Sequence, residues 1–70
     1  MTQGERILKY MDQFGSISPF EAFKDLGITK LATRISELIR DGERIEKRME
    51  YQINRYGEKV GFMRYSRGSR

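Results

Sequence analysis

The sequence predicts one small α+β domain, three helices followed by a two-stranded antiparallel hairpin. Three observations predict it. Apolar residues recur at helical spacing in three segments before Gly42. From Glu43 the period changes to alternation. Glycines stand where each helix would stop. Seventy residues make one domain, since domains run on the order of 50–250 residues. A chain this short has a small core and no volume for a deep enclosed site.

The first helix opens on Thr2 with Glu5 three residues later, a capping-box pattern. Ile7, Met11 and Phe14 then fall on one stripe, with Leu8 and Tyr10 at its edges, and this stripe is expected in the core. Gly15 is placed to end the helix in the left-handed conformation that only glycine adopts without penalty. Ser16 to Ser18 read as a short extended link, because the residue before a proline avoids helical angles. Ser18 as N-cap, Pro19 at the first helical position and Glu21 in the first turn agree on a second helix start. Phe20, Phe23 and Leu26 give this helix an apolar edge, while Ala22 leaves room for close approach. Gly27 ends it.

The third helix is expected over residues 29–41, with Thr29 as its cap. Leu31, Ile35 and Leu38 form its inner seam, widened by Ile28, Ala32 and Ile39, and Asp41-Gly42 stops it. So little chain separates the second and third helices that they must cross at a large angle, the helix-turn-helix arrangement. In the hairpin, Ile45, Met49, Tyr51 and Ile53 share one side of the first strand, interrupted by Lys47. Glu46, Arg48, Glu50 and Gln52 take the other side. Asn54 to Glu58 carry the turn signal, and a second strand returns through Lys59 to Tyr65. Residues 1–65 are thus read as the folded domain and 66–70 as a flexible basic tail.

Composition removes several functions. There is no cysteine or histidine, hence no disulfide, no thiol nucleophile, and neither the usual general base nor the commonest metal ligand. No apolar run approaches the roughly 18 residues of a membrane span, and the N-terminus lacks the order of a secretory signal. No cofactor, small-molecule substrate or membrane partner is expected, and a cytoplasmic protein fits best. The net charge of +4 is unevenly placed. Residues 1–27 carry three basic and four acidic side chains, whereas residues 28–70 carry eleven and six. The positive excess starts at the third helix, which favours a polyanionic partner.

Helix, helix-turn-helix and hairpin in this order make a winged helix-turn-helix layout. The second helix of the pair lies in the major groove while the first braces it across the backbone. The hairpin, or wing, reaches phosphates or an adjacent minor groove. On the third helix the candidate DNA contacts are Thr29, Lys30, Thr33, Arg34, Glu37 and Arg40. Arg34 suits a guanine fork, and Glu37 either accepts from cytosine or only pairs with Arg34 or Arg40 along the helix. On the wing they are Arg55, Tyr56 and Lys59, and towards the end Arg64 and Arg67, with Arg70 extending the charge.

The stretch from Gly15 to Tyr65 resembles small winged helix-turn-helix proteins encoded by bacteriophages and prophages. The matching residues are Gly15 to Ser18, Glu21-Ala22, Leu26 to Ile28, Leu31-Ala32, Arg34-Ile35, Leu38 and Asn54 to Gly57. The resemblance implies DNA binding without naming the regulated process. One departure from the best-known helix-turn-helix proteins is the spacing from Ala22 to Gly27, longer by one residue. It leaves the register of groove contacts open by about a residue.

The leading expectation is a non-enzymatic protein that binds double-stranded DNA, a phage or prophage transcription regulator or excision-type accessory factor in a bacterial host. One module offers a small footprint, so a homodimer, tandem sites or a protein partner is expected to add affinity. The alternative is a protein-interaction module using the same fold without DNA, because fold alone does not decide function. RNA binding ranks third, since the hairpin tyrosines form no paired stacking platform.

Overall fold

The computed structural model describes residues 1–68. Three helices, α1 (Gln3–Phe14), α2 (Pro19–Leu26) and α3 (Leu31–Arg40), precede strands β1 (Ile45–Ile53) and β2 (Lys59–Arg67). The strands pair antiparallel with Ile53 opposite Lys59 and Ile45 opposite Arg67. Ile17, in the link between α1 and α2, adds a one-residue bridge to the far side of β2. Its N–H donates to Tyr65 O at 2.8 Å, and its carbonyl accepts from Tyr65 N at 2.9 Å. The sheet therefore has a third contributor, which stitches the start of the helix-turn-helix to the wing.

Local sequence explains the helix ends. Thr2 Oγ1 accepts from Glu5 N at 3.1 Å, and Glu5 Oε1 accepts from Thr2 N at 2.8 Å, completing the capping box. That backbone hydrogen bond holds the Glu5 carboxyl below the ordinary carboxylate range. Ser18 and Glu21 repeat the arrangement at α2. At the end of α2, Gly27 adopts φ 70°, and Ile28 N donates back to Ala22 O at 3.0 Å. This closure needs the left-handed backbone that glycine supplies.

Helix α3 begins two residues later than expected. Lys30 occupies the cap position with no side-chain cap, so Thr29 does not cap the helix. The reason is Ile28. Its N–H closes α2 and its side chain is buried, leaving Thr29 and Lys30 to turn the chain into α3.

The core joins Ile7 and Met11 of α1, Ile17, Ala22 of α2, Ile28, Leu31 and Ile35 of α3, and Tyr65 of β2. Leu8, Leu26, Leu38, Ile45 and Met63 pack around it. The phenylalanines do not belong to it. Phe20 and Phe23 are 69% and 61% exposed, and Phe14 lies outside the core, its ring tilted 47° to that of Tyr10 with centroids 4.6 Å apart. Ala22 and Leu26, four residues apart, form the stripe of α2 that faces inward, which turns Phe20 and Phe23 outward. Ala32 and Ile39, expected to widen the α3 seam, are also exposed. The alternating pattern of β1 is core-facing only at its base; Met49, Tyr51 and Ile53 stand in solvent.

Strand β2 continues through Arg67, so Ser66 and Arg67, expected in a flexible tail, lie in the sheet. Arg67 is held by Asp12 on one side at 3.2 Å and Glu43 on the other at 3.3 Å, which ties the strand end to α1 and to the α3–β1 link. Composition alone carries no trace of these two distant partners. Gly68 N donates to Arg44 O at 2.7 Å, and the last two residues of the expected tail, 69 and 70 including Arg70, lie outside the described residues.

Candidate nucleic-acid interface

The seam of Leu31, Ile35 and Leu38 fixes the rotation of α3. Leu38 reaches the start of α1, where an added Cβ on Gly4 would stand 3.1 Å from Leu38 Cδ2. With that side docked, Thr33, Ser36 and Arg40 are exposed on the opposite face, and Thr29 and Lys30 are exposed just before the helix. Among the described residues neither Lys30 nor Arg40 has a carboxylate partner. Ser36 was not singled out by charge or capping pattern. Helical geometry alone would have found it, three residues from Thr33 and four from Arg40.

Arg34 and Glu37 sit differently. Arg34 Nη1 donates to Glu37 Oε1 at 2.7 Å, and both side chains are about half-buried beside the cleft at the first turn of α1. Arg34 Nε is buried with no protein partner. The pairing of Glu37 along the helix, rather than a free carboxylate facing outward, is what the structure places here. Arg34 already has its charge matched, so a base contact would require it to leave that carboxylate.

The wing tip is built by Asn54. Its Oδ1 accepts from Tyr56 N at 2.9 Å and Glu58 N at 3.0 Å, and its Nδ2 donates to Glu58 Oε1 at 3.1 Å. Gly57 has φ 77°, and its N–H closes on Asn54 O at 3.0 Å. An asparagine side chain that organises the backbone two and four residues on is the reason for Asn and Gly at these positions. The turn thereby presents Arg55 and Tyr56 to solvent, Tyr56 among the most exposed side chains of the molecule. Lys59 lies over the Tyr51 ring, Nζ 4.5 Å from its centroid, and remains exposed.

Arg64 and Arg67 are not neighbours of that tip. Arg64 is only 17% exposed and is held by three groups. Its Nη1 donates to Ser16 Oγ and Glu21 Oε1, both at 3.0 Å, and its Nε reaches Glu50 Oε2 at 2.9 Å. Burial works against the charge, but the hydrogen bonds to Glu50 and Glu21 outweigh it and raise the guanidinium pKa above its ordinary value. This arginine braces the sheet against the start of α2. Arg67 has the comparable role towards α1 described above.

Among the described residues no group of His, Cys, Asp and Glu could hold a metal ion, and no helix is long and apolar enough to cross a membrane. Eight carboxylates, Glu5, Asp12, Glu21, Asp25, Glu37, Glu43, Glu50 and Glu58, are engaged in caps, hydrogen bonds or ion pairs.

Comparison with curated proteins gave no match, and comparison with solved structures gave none. A family model described as a winged helix-turn-helix domain matches residues 2–66, nearly the whole chain and all five elements but for the last residue of β2. Membership of that family points to DNA binding in general. Three helices, an antiparallel hairpin and this match together establish that the chain belongs to the winged helix-turn-helix domain family.

Proposed function

We propose that the protein binds double-stranded DNA with α3 in the major groove and the wing tip on the backbone or adjacent minor groove. The observation that carries this reading is the outward face of α3. Lys30, Thr33, Ser36 and Arg40 are exposed there, and its two cations lack intramolecular carboxylate partners among the described residues. Such a face offers positive charge to phosphates and hydroxyls to base edges. Arg55 at the wing tip supplies a second anchor, and the excess of basic residues after Gly27 supports both. In this reading the protein is a binding factor and not an enzyme. Its resemblance to phage and prophage proteins favours a transcription regulator or excision-type accessory factor acting in the cytoplasm of a bacterial host.

Fluorescence anisotropy with labelled duplex DNA at several salt concentrations tests the proposal. Affinity should fall as salt rises, and Lys30→Ala, Arg40→Ala and Arg55→Ala should each weaken it. A flat titration at low salt, up to tens of micromolar protein, would falsify the reading, because even non-specific DNA binders reach about that range. A protein-interaction module is the second reading, and the exposed Phe14, Phe20 and Phe23 favour it. It takes precedence if the DNA titration is flat while the protein remains folded.

A further inference from the structure

Among the described residues, strand β1 has a partner on one side only. The bonds from Asn54 N to Glu58 O and from Gly68 N to Arg44 O fix the alternation of the ladder at its two ends. Even-numbered residues of β1 turn their backbone groups towards β2. The N–H and C=O groups of Lys47, Met49 and Tyr51 therefore point the other way, where no strand lies among the described residues. A nine-residue edge left open is a template for another strand. Its side chains add to this, with Met49, Tyr51 and Ile53 at 50%, 57% and 67% exposure.

The order of charges along β1 selects the occupant. In antiparallel pairing with a second copy about Met49, Met49 lies opposite the partner's Met49, and Ile45 opposite the partner's Ile53. Lys47, the kind of residue that ordinarily blunts an edge, lies opposite the aromatic ring of the partner's Tyr51. On the other face Arg48 falls opposite the partner's Glu50, and symmetry repeats the pair. Neighbouring registers fail on charge. One sets Arg48 against the partner's Arg48, another Glu50 against the partner's Glu50, and a third Lys47 against the partner's Lys47. Pairing about Tyr51 sets Lys47 against the partner's Arg55. Like charges directly opposed destabilise a strand pair.

We propose that the protein forms a two-fold homodimer through β1, antiparallel and centred on Met49. The proposal does not rest on DNA binding. A single strand pair buries less than the roughly 1,200 Å² of a standard interface, so the dimer is weak and concentration-dependent.

Sedimentation of the full chain from about 10 μM to 1 mM, a range that covers weak association, tests it. Met49→Pro removes an outward N–H while leaving the β1–β2 bonds intact. Arg48→Glu sets like charges opposite each other at two places. Each should weaken dimerisation at least about tenfold, or 1.4 kcal/mol. Glu50→Arg alone should do the same. Mixed with the Arg48→Glu chain it should restore dimers, because both pairs between positions 48 and 50 then join opposite charges. Circular dichroism checks folding. Glu50 also holds Arg64, so if Glu50→Arg fails to fold, the other two variants decide. A chain monomeric to about 1 mM overturns the proposal and leaves the edge to a strand from another protein. A dimer undiminished by Met49→Pro and Arg48→Glu also overturns it, since that dimer uses another surface.

Discussion

Arg64 Nη1 donates to Glu21 Oε1 at 3.0 Å, joining residues 43 positions apart in the chain. The same carboxylate oxygen accepts from Ser18 N at 3.0 Å, so one atom caps α2 and anchors the wing strand. The orientation of the wing and the entry into the helix-turn-helix are thereby coupled. Arg64→Ala should cost about 1–3 kcal/mol of stability, read by urea denaturation, because two partly buried carboxylates lose their partner. Arg64→Lys should recover only part, since an ammonium cannot reproduce the guanidinium fork. An unchanged denaturation midpoint for Arg64→Ala would refute this bracing role.

The outward and inward sides of α3 should separate in DNA titrations. Lys30→Ala and Arg40→Ala should each lower the slope of log affinity against log salt by about 1, as expected for a lost phosphate contact. Arg34→Ala should leave that slope nearly unchanged, because Glu37 already matches its charge at 2.7 Å. A slope reduced equally by Arg34→Ala would place that guanidinium on the DNA.

Asn54→Ala removes the acceptor for two backbone N–H groups in the wing turn. A loss of about 1 kcal/mol is expected from chemical denaturation. Amide hydrogen exchange at Tyr56 and Glu58 should quicken, while protection of the buried helical residues stays.

Phe20→Ala and Phe23→Ala should change stability by less than about 0.5 kcal/mol, since both rings are largely in solvent. Ile35→Ala, in the core, should cost about 2–5 kcal/mol. Thermal melts of the three variants measure the contrast directly. Equal losses would mean that the phenylalanines are packed after all.

Tyr10 carries the clearest pH signature. Its hydroxyl donates to Asp25 Oδ2 at 2.6 Å, and that bond, with burial and nearby carboxylates, pushes its pKa up to about 12. The ordinary phenol value is about 10. A pKa higher in the folded state contributes stability that is complete below pH 10 and is lost as pH rises towards 12. Ultraviolet titration should show this phenolate appearing late, and Asp25→Ala should move it down towards 10. No change on that substitution would remove Asp25 as the cause.

Much of this architecture is legible in the sequence, and the reason is local. Thr2 with Glu5, Pro19 after Ser18, Gly27 and the Asn54–Gly57 turn act through atoms within a few residues, so spacing alone reveals them. The Ser18–Glu21 box was equally open to that reasoning. The alternation after Glu43 places both strands, because a two-residue period has no other regular solution. What spacing cannot decide is which of two apolar faces is buried. In α2 the choice fell on Ala22 and Leu26 over the phenylalanines, because the small residue lets the helix approach α1 and α3.

The sequence by itself determined the order of elements, the positive bias after Gly27 and the Asn54–Gly57 turn that forms the wing tip. Tertiary structure alone decided which cations are spent within the fold. Arg34, Arg64 and Arg67 read as candidate DNA contacts in one dimension, yet each meets a carboxylate, Glu37 on the same helix or Glu21, Glu50, Asp12 and Glu43 brought in from elsewhere. An ion pair forms between atoms a few ångströms apart, and for Arg64 and Arg67 that proximity is created by folding across as many as 55 residues. Lys30 and Arg40 meet no such partner among the described residues, and that difference supports the reading proposed for α3.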